Sequence, residues 1–368
     1  MPNYSGNDRH KNSEYGDSYN YNKKSNFENI SSNSKKYKKK KKGRTITNVF
    51  IIILSIIFAL AGSIMIYTYN TLDSMNFESI DDPSTTNKST EGLLNDSMVL
   101  NVLLFGSDSR TDSAENGRSD SIMMISIDNR HKKVKMTSFL RDTWVSIPGY
   151  GKSKLNHAFA YGGPKLAVET IEKNFGVDVD RYMVVDFQSF IYIVDSLGGI
   201  DMNLTADEVN FINYAVDVED YGNAQPLRGA GVHHLNGVQA LAHSRNRDSA
   251  MSDFDRTTRQ RDVVNTIINE MKGASIPQLT SVVSKIGPMI TTNLKKNEIT
   301  TLLSNSLTYL NYATEERSAP KREECNDDFL DGMSVLTVKN WTNLRNSIAT
   351  YIYEETFTGA ASSSLSSR

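Results

Sequence analysis

Hydrophobic positions in this chain gather first into short runs between Met98 and Asp142, in the stretch MVLNVLLFGSDSRTDSAENGRSDSIMMISIDNRHKKVKMTSFLRD. Three runs rich in β-branched and aliphatic residues, roughly 99–105, 121–127 and 133–140, are each bounded by Gly, Ser, Asp or Asn. That pattern predicts a three-stranded meander. The Asp-Asn-Arg-His segment at 128–131 is short enough for a tight turn, so the second and third strands should be antiparallel neighbours. If 107–120 also reverses the chain, the end of the first strand, the start of the second and the end of the third share one end of the sheet.

Further along, apolar positions recur at helical spacing. Pro164 suits a first helical turn, Ala167, Ile171 and Phe175 repeat at helical spacing, and Gly176 is placed to end the helix. RYMVVDF reads as a buried strand, and Phe187, Phe190, Ile191, Val194 and Leu197 form the stripe of a second helix stopped by Gly198 and Gly199. This apolar supply is either ordinary core between helix and sheet or the wall of a greasy tunnel for a lipid tail. GIDMNL predicts a short strand, and the polar stretch up to 236, with Pro226, reads as a long irregular loop. A helix over 235–244 and another through SDFDRTTRQRDVVNTIINEMK follow; beyond Gly273 come about three amphipathic helical stretches and a last strand near 333–337.

The first third of the chain has a different character. Residues 1–34 are Asn, Ser, Tyr and charged residues with few aliphatics, too little apolar surface to offset chain entropy. Then KKYKKKKKGR runs directly into an apolar stretch with no charge over 49–67, long enough to span a bilayer as a helix. Its length, its distance from Met1 and the absence of a small-residue cleavage site argue against a cleaved signal peptide. Lysines before the span and a mainly acidic flank after it put the amino-terminal tail in the cytoplasm and the rest outside. The expected organisation is a disordered basic cytoplasmic tail at 1–45, a transmembrane helix at 46–69, an extracytoplasmic linker at 70–97, a catalytic domain at 98–356 and a flexible tail at 357–368. Beside a membrane span the lysine run fits anionic headgroups and topology better than nucleic acid. The net charge of −2 averages unlike regions and decides nothing, and the single cysteine, Cys325, excludes an intrachain disulfide.

Candidate chemistry sits at the charged end of the meander. Asp108, Arg110, Arg118, Asp120, Arg141 and Asp142 all fall there. Two carboxylates can share a hard divalent cation, and neighbouring arginines can grip phosphate oxygens. The same residues also read as ordinary ion pairs at strand ends. A second arginine cluster follows: Arg245 and Arg247 alternate about Asn246, and Arg256, Arg259 and Gln260 fall on neighbouring faces of a helix, with surface pairing to nearby Asp residues as the plainer reading. Asp142 and Asp253 are candidates to accept a proton or, equally, to orient an arginine. His233 and His234 are adjacent, point apart in a strand and lack a third ligand at suitable spacing, which argues against a zinc site.

In order along the chain, LLFGSDSR, RSDSIMMISID, FLRD, KLNHAFAYGG, VVDF, DSLGGID, LNGVQALAHSRNRD and DFDRTTRQR resemble the LytR-CpsA-Psr family over about 101–264. The resemblance implies an α/β fold, a three-layer α-β-α domain with a central mixed sheet, preceded by one transmembrane helix in the cell membrane. It implies a phosphotransferase that moves an anionic glycopolymer, such as teichoic acid or capsule, from a polyprenyl-pyrophosphate carrier to peptidoglycan, forming a phosphodiester. Carried over residue by residue, Asp108 and Asp120 match the metal-associated aspartates, with Mg²⁺ expected and Mn²⁺ as the alternative. Arg118, Arg141, Arg245, Arg247, Arg256 and Gln260 match the pyrophosphate clamp, and Arg110 and Lys154 extend it. Phe105 and Asp255 depart from the usual Leu and Gly of the family, at positions that supply no needed polar group. Rival readings are a hydrolase of the lipid-linked precursor and a non-enzymatic sensor of the lipid carrier or regulator; no DNA-reading motif supports a nucleic-acid partner.

Overall fold

The computed structural model describes residues 76–77, 96–107, 117, 119–218, 224–246 and 253–354. The expected basic tail, transmembrane segment and carboxy-terminal tail, most of the linker, and the site candidates Asp108, Arg110, Arg118 and Arg247 lie outside the described residues. Among the described residues no helix is long and apolar enough to cross a membrane.

In chain order the strands are β1 (Asn76–Phe77), β2 (Val99–Ser107), β3 (Ser119–Asp128), β4 (Lys133–Phe139), β5 (Trp144–Ile147), β6 (Gly151–Lys154), β7 (Arg181–Asp186), β8 (Ile200–Leu204), β9 (Gly231–Leu235), β10 (Thr291–Thr292), β11 (Ala313–Ala319), β12 (Cys325–Leu330) and β13 (Met333–Val338). The helices are α1 (Leu155–Phe175), α2 (Phe187–Leu197), α3 (Ala206–Val218), α4 (Gly237–Arg245), α5 (Asp253–Lys272), α6 (Ile276–Ile286), α7 (Lys296–Ser304), α8 (Ser306–Tyr309) and α9 (Trp341–Tyr353). The result is a mixed α/β fold around a seven-stranded sheet of order β1-β10-β7-β2-β3-β4-β11. The predicted meander is its centre: β2, β3 and β4 are successive antiparallel neighbours, while β7 and β11 add in parallel to β2 and β4.

The two faces of that sheet are covered unequally. Leu103, Phe105, Ile122, Met124 and Tyr182 lie on one face and are buried with residues of α1 and α9, among them Phe159, Ile171, Ile348 and Ile352. On the other face, the register pairs Leu104 with Met123 and Met183, and Val102 with Ile125. There Leu104, Ile125, Met183 and Val185 stay half-buried. The helices on this side bury their apolar stripes largely among themselves: Val194, Ile212, Ala240, Ala242 and Val263 form one cluster with Ile200, Met202 and Leu235. Met183 also packs against the cluster of Leu294 and Ile299, and Val102, Met123 and Met136 on this face are buried, so the strip is a narrow band of intermediate cover.

Several expectations are corrected. The stretch after GIDMNL is not one long loop, because α3 occupies 206–218. Val209, Ile212 and Ala215 recur at helical spacing and are buried, and Glu208 bonds back to the Thr205 amide and hydroxyl at 3.0 and 3.1 Å. That is a capping arrangement, legible as TADE and overlooked beside the polar residues around it. The helix expected at 235–244 begins two residues later, since Leu235 ends β9 and Asn236 caps α4 by accepting from the Gln239 amide. The helix foreseen from Pro164 extends back to Leu155 through a kink at Gly162 and Gly163. Instead of one final strand, the chain makes β11, β12 and β13 before α9. Strand β11 was hidden by its charge: it is a sheet edge whose Glu315 and Glu316 pair with Lys133 and Arg261, a composition that discourages edge-to-edge association.

The approach of α4 to α2 is close enough to require glycine. A Cβ on Gly237 would meet the backbone carbonyl oxygen of Ile191 at 2.3 Å, and the Gly237 amide donates to Asp195 Oδ1 at 2.7 Å. Gly237→Ala is therefore expected to push the helices apart and destabilise the protein by about 1–3 kcal/mol, read as a lowered thermal midpoint. An unchanged midpoint would mean that α4 shifts without cost.

Candidate active site

The turn after β4 is fixed from both sides. Thr143 closes it by donating from its amide and hydroxyl to the Leu140 carbonyl, at 3.1 and 2.6 Å. The carbonyl of Arg141 accepts from the Asn156 amide at 3.1 Å, and that of Asp142 accepts from the Leu336 amide at 2.9 Å. This turn delivers Arg141 and Asp142 to the same sheet end as Asp120, which follows directly on the start of β3.

There the charges interlock. Arg141 Nη1 donates to Asp120 Oδ1, and Arg141 Nε lies 3.5 Å from Asp253 Oδ1 and 3.7 Å from Asp142 Oδ2. Arg256, on the first turn of α5, is buried; its Nη2 is 2.5 Å from Asp253 Oδ1 and donates to the Asp120 carbonyl at 3.3 Å. Lys154, at the end of β6, reaches Asp142 with Nζ at 2.8 Å. Strand β3, the turn after β4, the end of β6 and the start of α5 thus converge on one centre of alternating charge. Charge pairs this enclosed are stronger and more rigid than surface pairs.

The other candidates are distributed as follows. Arg245, at the end of α4, holds its guanidinium 4.7 Å over the ring of Phe187 at the start of α2. Gln260 stands one helical turn beyond Arg256 on α5 and is half-buried. Arg259 belongs to a different contact: its Nε pairs with Glu208 Oε1 at 2.9 Å and its Nη1 donates to the Asn246 carbonyl at 3.4 Å, behind the Arg245 turn. Burial opposes the charge on Glu208, but the Thr205 amide and Arg259 together hold its carboxyl below the ordinary value. Burial pushes His243, on α4, in the neutral direction. Asp142 and Asp253, candidates to accept a proton or to orient an arginine, are both engaged by cationic side chains. The part of Glu208 was missed because its partner lies on another helix, 51 residues away.

Adjacent His233 and His234 do go to different partners: His233 Nε2 to the Gly229 carbonyl at 2.8 Å, and His234 to Asp201 and the Gly198 carbonyl at 2.6 and 2.7 Å. Among the described residues, one group carries a metal-binding donor set, Asp128, His131 and Glu354. It lies at the opposite end of β3, and the ammonium of Lys135 stands among those carboxylates, 2.8 Å from Asp128 and 3.0 Å from Glu354. A lysine already supplies the positive charge there.

A mixed sheet whose strand ends gather arginines, a lysine and carboxylates, with partly buried apolar side chains on one face, defines an α/β protein with a centre of alternating charge at one end of its sheet. Residues 63–347 match the LytR_cpsA_psr family, and the chain belongs to that family. The TagU protein of Bacillus mycoides (strain KBAB4), a polyisoprenyl-teichoic acid–peptidoglycan teichoic acid transferase, is 34% identical over 251 residues, covering 65% of this chain and 77% of that protein. Regulatory protein MsrR of Staphylococcus aureus (strain Mu50) is 35% identical over 205 residues, covering 54% of this chain and 58% of its own. Among solved structures, TagT bound to LIIa-WTA is similar with a TM-score of 0.58 and 25% identity, covering 72% of this chain and 95% of that one.

Proposed function

We propose that this protein is an extracytoplasmic phosphotransferase that moves a teichoic acid or similar anionic glycopolymer from a polyprenyl-pyrophosphate carrier to peptidoglycan. The reading includes a three-layer α-β-α domain held at the cell membrane by one transmembrane helix at 46–69. Its strongest support is the junction of two unlike surfaces: the Asp120–Arg141–Asp253–Arg256 centre at the sheet end, and the half-buried strip of Leu104, Ile125, Met183 and Val185 on one face of the same sheet. A diphosphate with a long apolar tail needs both. A named relation to teichoic acid transferases supports the same substrate class.

Phosphoryl transfer is governed by positioning and by neutralising charge on non-bridging and leaving oxygens. Arg141 and Arg256 meet this need from two elements, held in place by Asp253 and Asp120. Arginine serves better than lysine because its planar fork binds two oxygens and keeps its charge. Arg118, Arg245, Arg247, Arg110, Lys154 and Gln260 complete the pyrophosphate clamp in this reading. The acceptor hydroxyl attacks the glycan-side phosphorus, and polyprenyl monophosphate leaves with the electrons of the broken phosphoanhydride bond, the proton lost by the hydroxyl passing to the departing phosphate.

Asp120, a side chain 26% exposed beside Arg141, is a hard oxygen donor of the kind Mg²⁺ takes. It would hold the ion together with Asp108, and the ion would supply further charge neutralisation at the phosphates. The test is product analysis with the full-length protein in nanodiscs, lipid-linked polymer and uncrosslinked peptidoglycan chains. Polymer joined to glycan through a phosphodiester, only when glycan is present, supports transfer; free polymer phosphate formed equally without glycan makes the protein a hydrolase instead.

A further inference from the structure

The hairpin of β5 and β6 leaves the centre at Lys154 and carries at its tip an aromatic pair that the proposed reaction does not use. Tyr150 and Tyr161 are 57% and 44% exposed, with ring centroids 4.8 Å apart and planes inclined by 21°. The stack is built from two elements, the hairpin tip and the last residue of α1 before its Gly162–Gly163 kink. It is cross-braced: Tyr150 Oη donates to the Tyr161 carbonyl at 3.5 Å, and Tyr161 Oη lies 3.5 Å from His157 Nδ1, which is 2.8 Å from Ser153 Oγ. Exposed aromatic area costs free energy, so a pair held rigid in water marks a contact surface.

We infer that this pair is a binding platform for the glycan strand of the acceptor; the inference rests on the transfer reading above. Three observations select that occupant. First, the platform is amphipathic in the way a sugar is: ring surface for the C–H face, with phenol, imidazole and serine hydroxyl groups at its edge for hydroxyls. Second, it stands at a fixed distance from the centre. Lys154, paired with Asp142, caps the helical segment that ends in Tyr161, seven residues on and so roughly 10 Å along the axis, about the length of two sugar rings. Third, it lies on the correct side. Helix α1 and strand β5 pack on the face of the sheet that carries Phe105 and Met124, whereas the half-buried Leu104, Ile125, Met183 and Val185 are on the opposite face. In-line displacement needs the attacking hydroxyl and the departing lipid phosphate on opposite sides of phosphorus. A tail on one face and the glycan on the other provide that.

The experiment measures Tyr150→Ala and Tyr150→Phe in full-length protein in nanodiscs, in two arms. In steady-state transfer, Tyr150→Ala is expected to raise KM for uncrosslinked peptidoglycan chains about tenfold, with KM for the lipid-linked donor unchanged and Tyr150→Phe close to the parent. In the second arm, glycan chains are titrated onto the protein without donor, and Tyr150→Ala should weaken binding by a similar factor. An unchanged acceptor KM, or an equal rise in donor KM, overturns the platform while leaving transfer intact. Loss of attachment of the full-length protein's Tyr150→Ala form to anionic vesicles, with glycan affinity unaltered, makes the pair a membrane contact and also overturns it. Should no variant transfer polymer while glycan binding still depends on Tyr150, the platform stands and the transfer reading falls.

Discussion

Replacing Arg141 by lysine should lower kcat/KM for polymer transfer by about 10²–10³-fold, although the positive charge is kept. The reason is geometric. The guanidinium spans a carboxylate on β3 and another on α5, with Nη1 at Asp120 and Nε 3.5 Å from Asp253, and its side chain is only 15% exposed. Among the described residues its buried Nε faces the carboxylates of Asp253 and Asp142 at 3.5 and 3.7 Å without a hydrogen bond to either. Lysine has one point of charge where arginine has a planar fork, so it can serve Asp120 or Asp253 but not both while also receiving the substrate. The check is single-turnover transfer beside thermal denaturation of the same sample. A variant with a reduced midpoint but normal turnover per folded molecule would make this centre a structural brace and remove the main support for a phosphate clamp.

How much of this was legible beforehand differs by element. The meander was readable because each strand is a short aliphatic run ended by turn residues; the shared end of Asp120, Arg141 and Asp142 followed on the condition that 107–120 reverses the chain, which the antiparallel pairing of β2 and β3 meets. Strand β7 and helix α2 were readable from apolar period and the paired stop glycines, and Gly198 and Gly199 do take φ values of 93° and 106°. What stayed hidden was either charged or mutual. Strand β11 has no alternation because its edge is covered by ion pairs, and α3 presents only a narrow apolar stripe. The bridge of Asp253 between Arg141 and Arg256 joins a strand-end turn to a helix more than a hundred residues later, and no local spacing announces it. The unequal cover of the sheet faces is likewise a property of packing: in sequence, Leu104 and Leu103 look alike, and only the helices decide that Leu103 is sealed and Leu104 is not.

The largest expected effect on stability lies at the other end of the sheet. Lys135 and Asp128 are fully buried, with Nζ 2.8 Å from Asp128 Oδ2; the same ammonium donates to the Ile352 carbonyl at 2.8 Å and meets Glu354 at 3.0 Å. One side chain of β4 therefore fastens the last turn of α9 to the β3–β4 turn. Burial opposes the charge on Asp128, but Lys135, the His131 amide and the His131 ring outweigh it and hold its carboxyl at about 2. With the folded value below the unfolded carboxylate value of about 3.9, this contribution is complete above that pH and is lost as pH falls toward 2. Lys135→Met takes from Asp128 its buried cationic partner and leaves it only the Arg130 and His131 amides and the His131 ring, which should cost about 3–5 kcal/mol, a fall of roughly 10 °C in thermal midpoint at neutral pH. Pairing it with Asp128→Asn removes the stranded charge, so the double variant should recover much of the loss and show a flatter dependence of midpoint on pH between about 4 and 2. The measurement is a thermal-melt series against pH for parent, single and double variants. A double variant no more stable than Lys135→Met would mean that the lysine acts mainly through the Ile352 carbonyl and the end of α9, and that the carboxylate pairing contributes little.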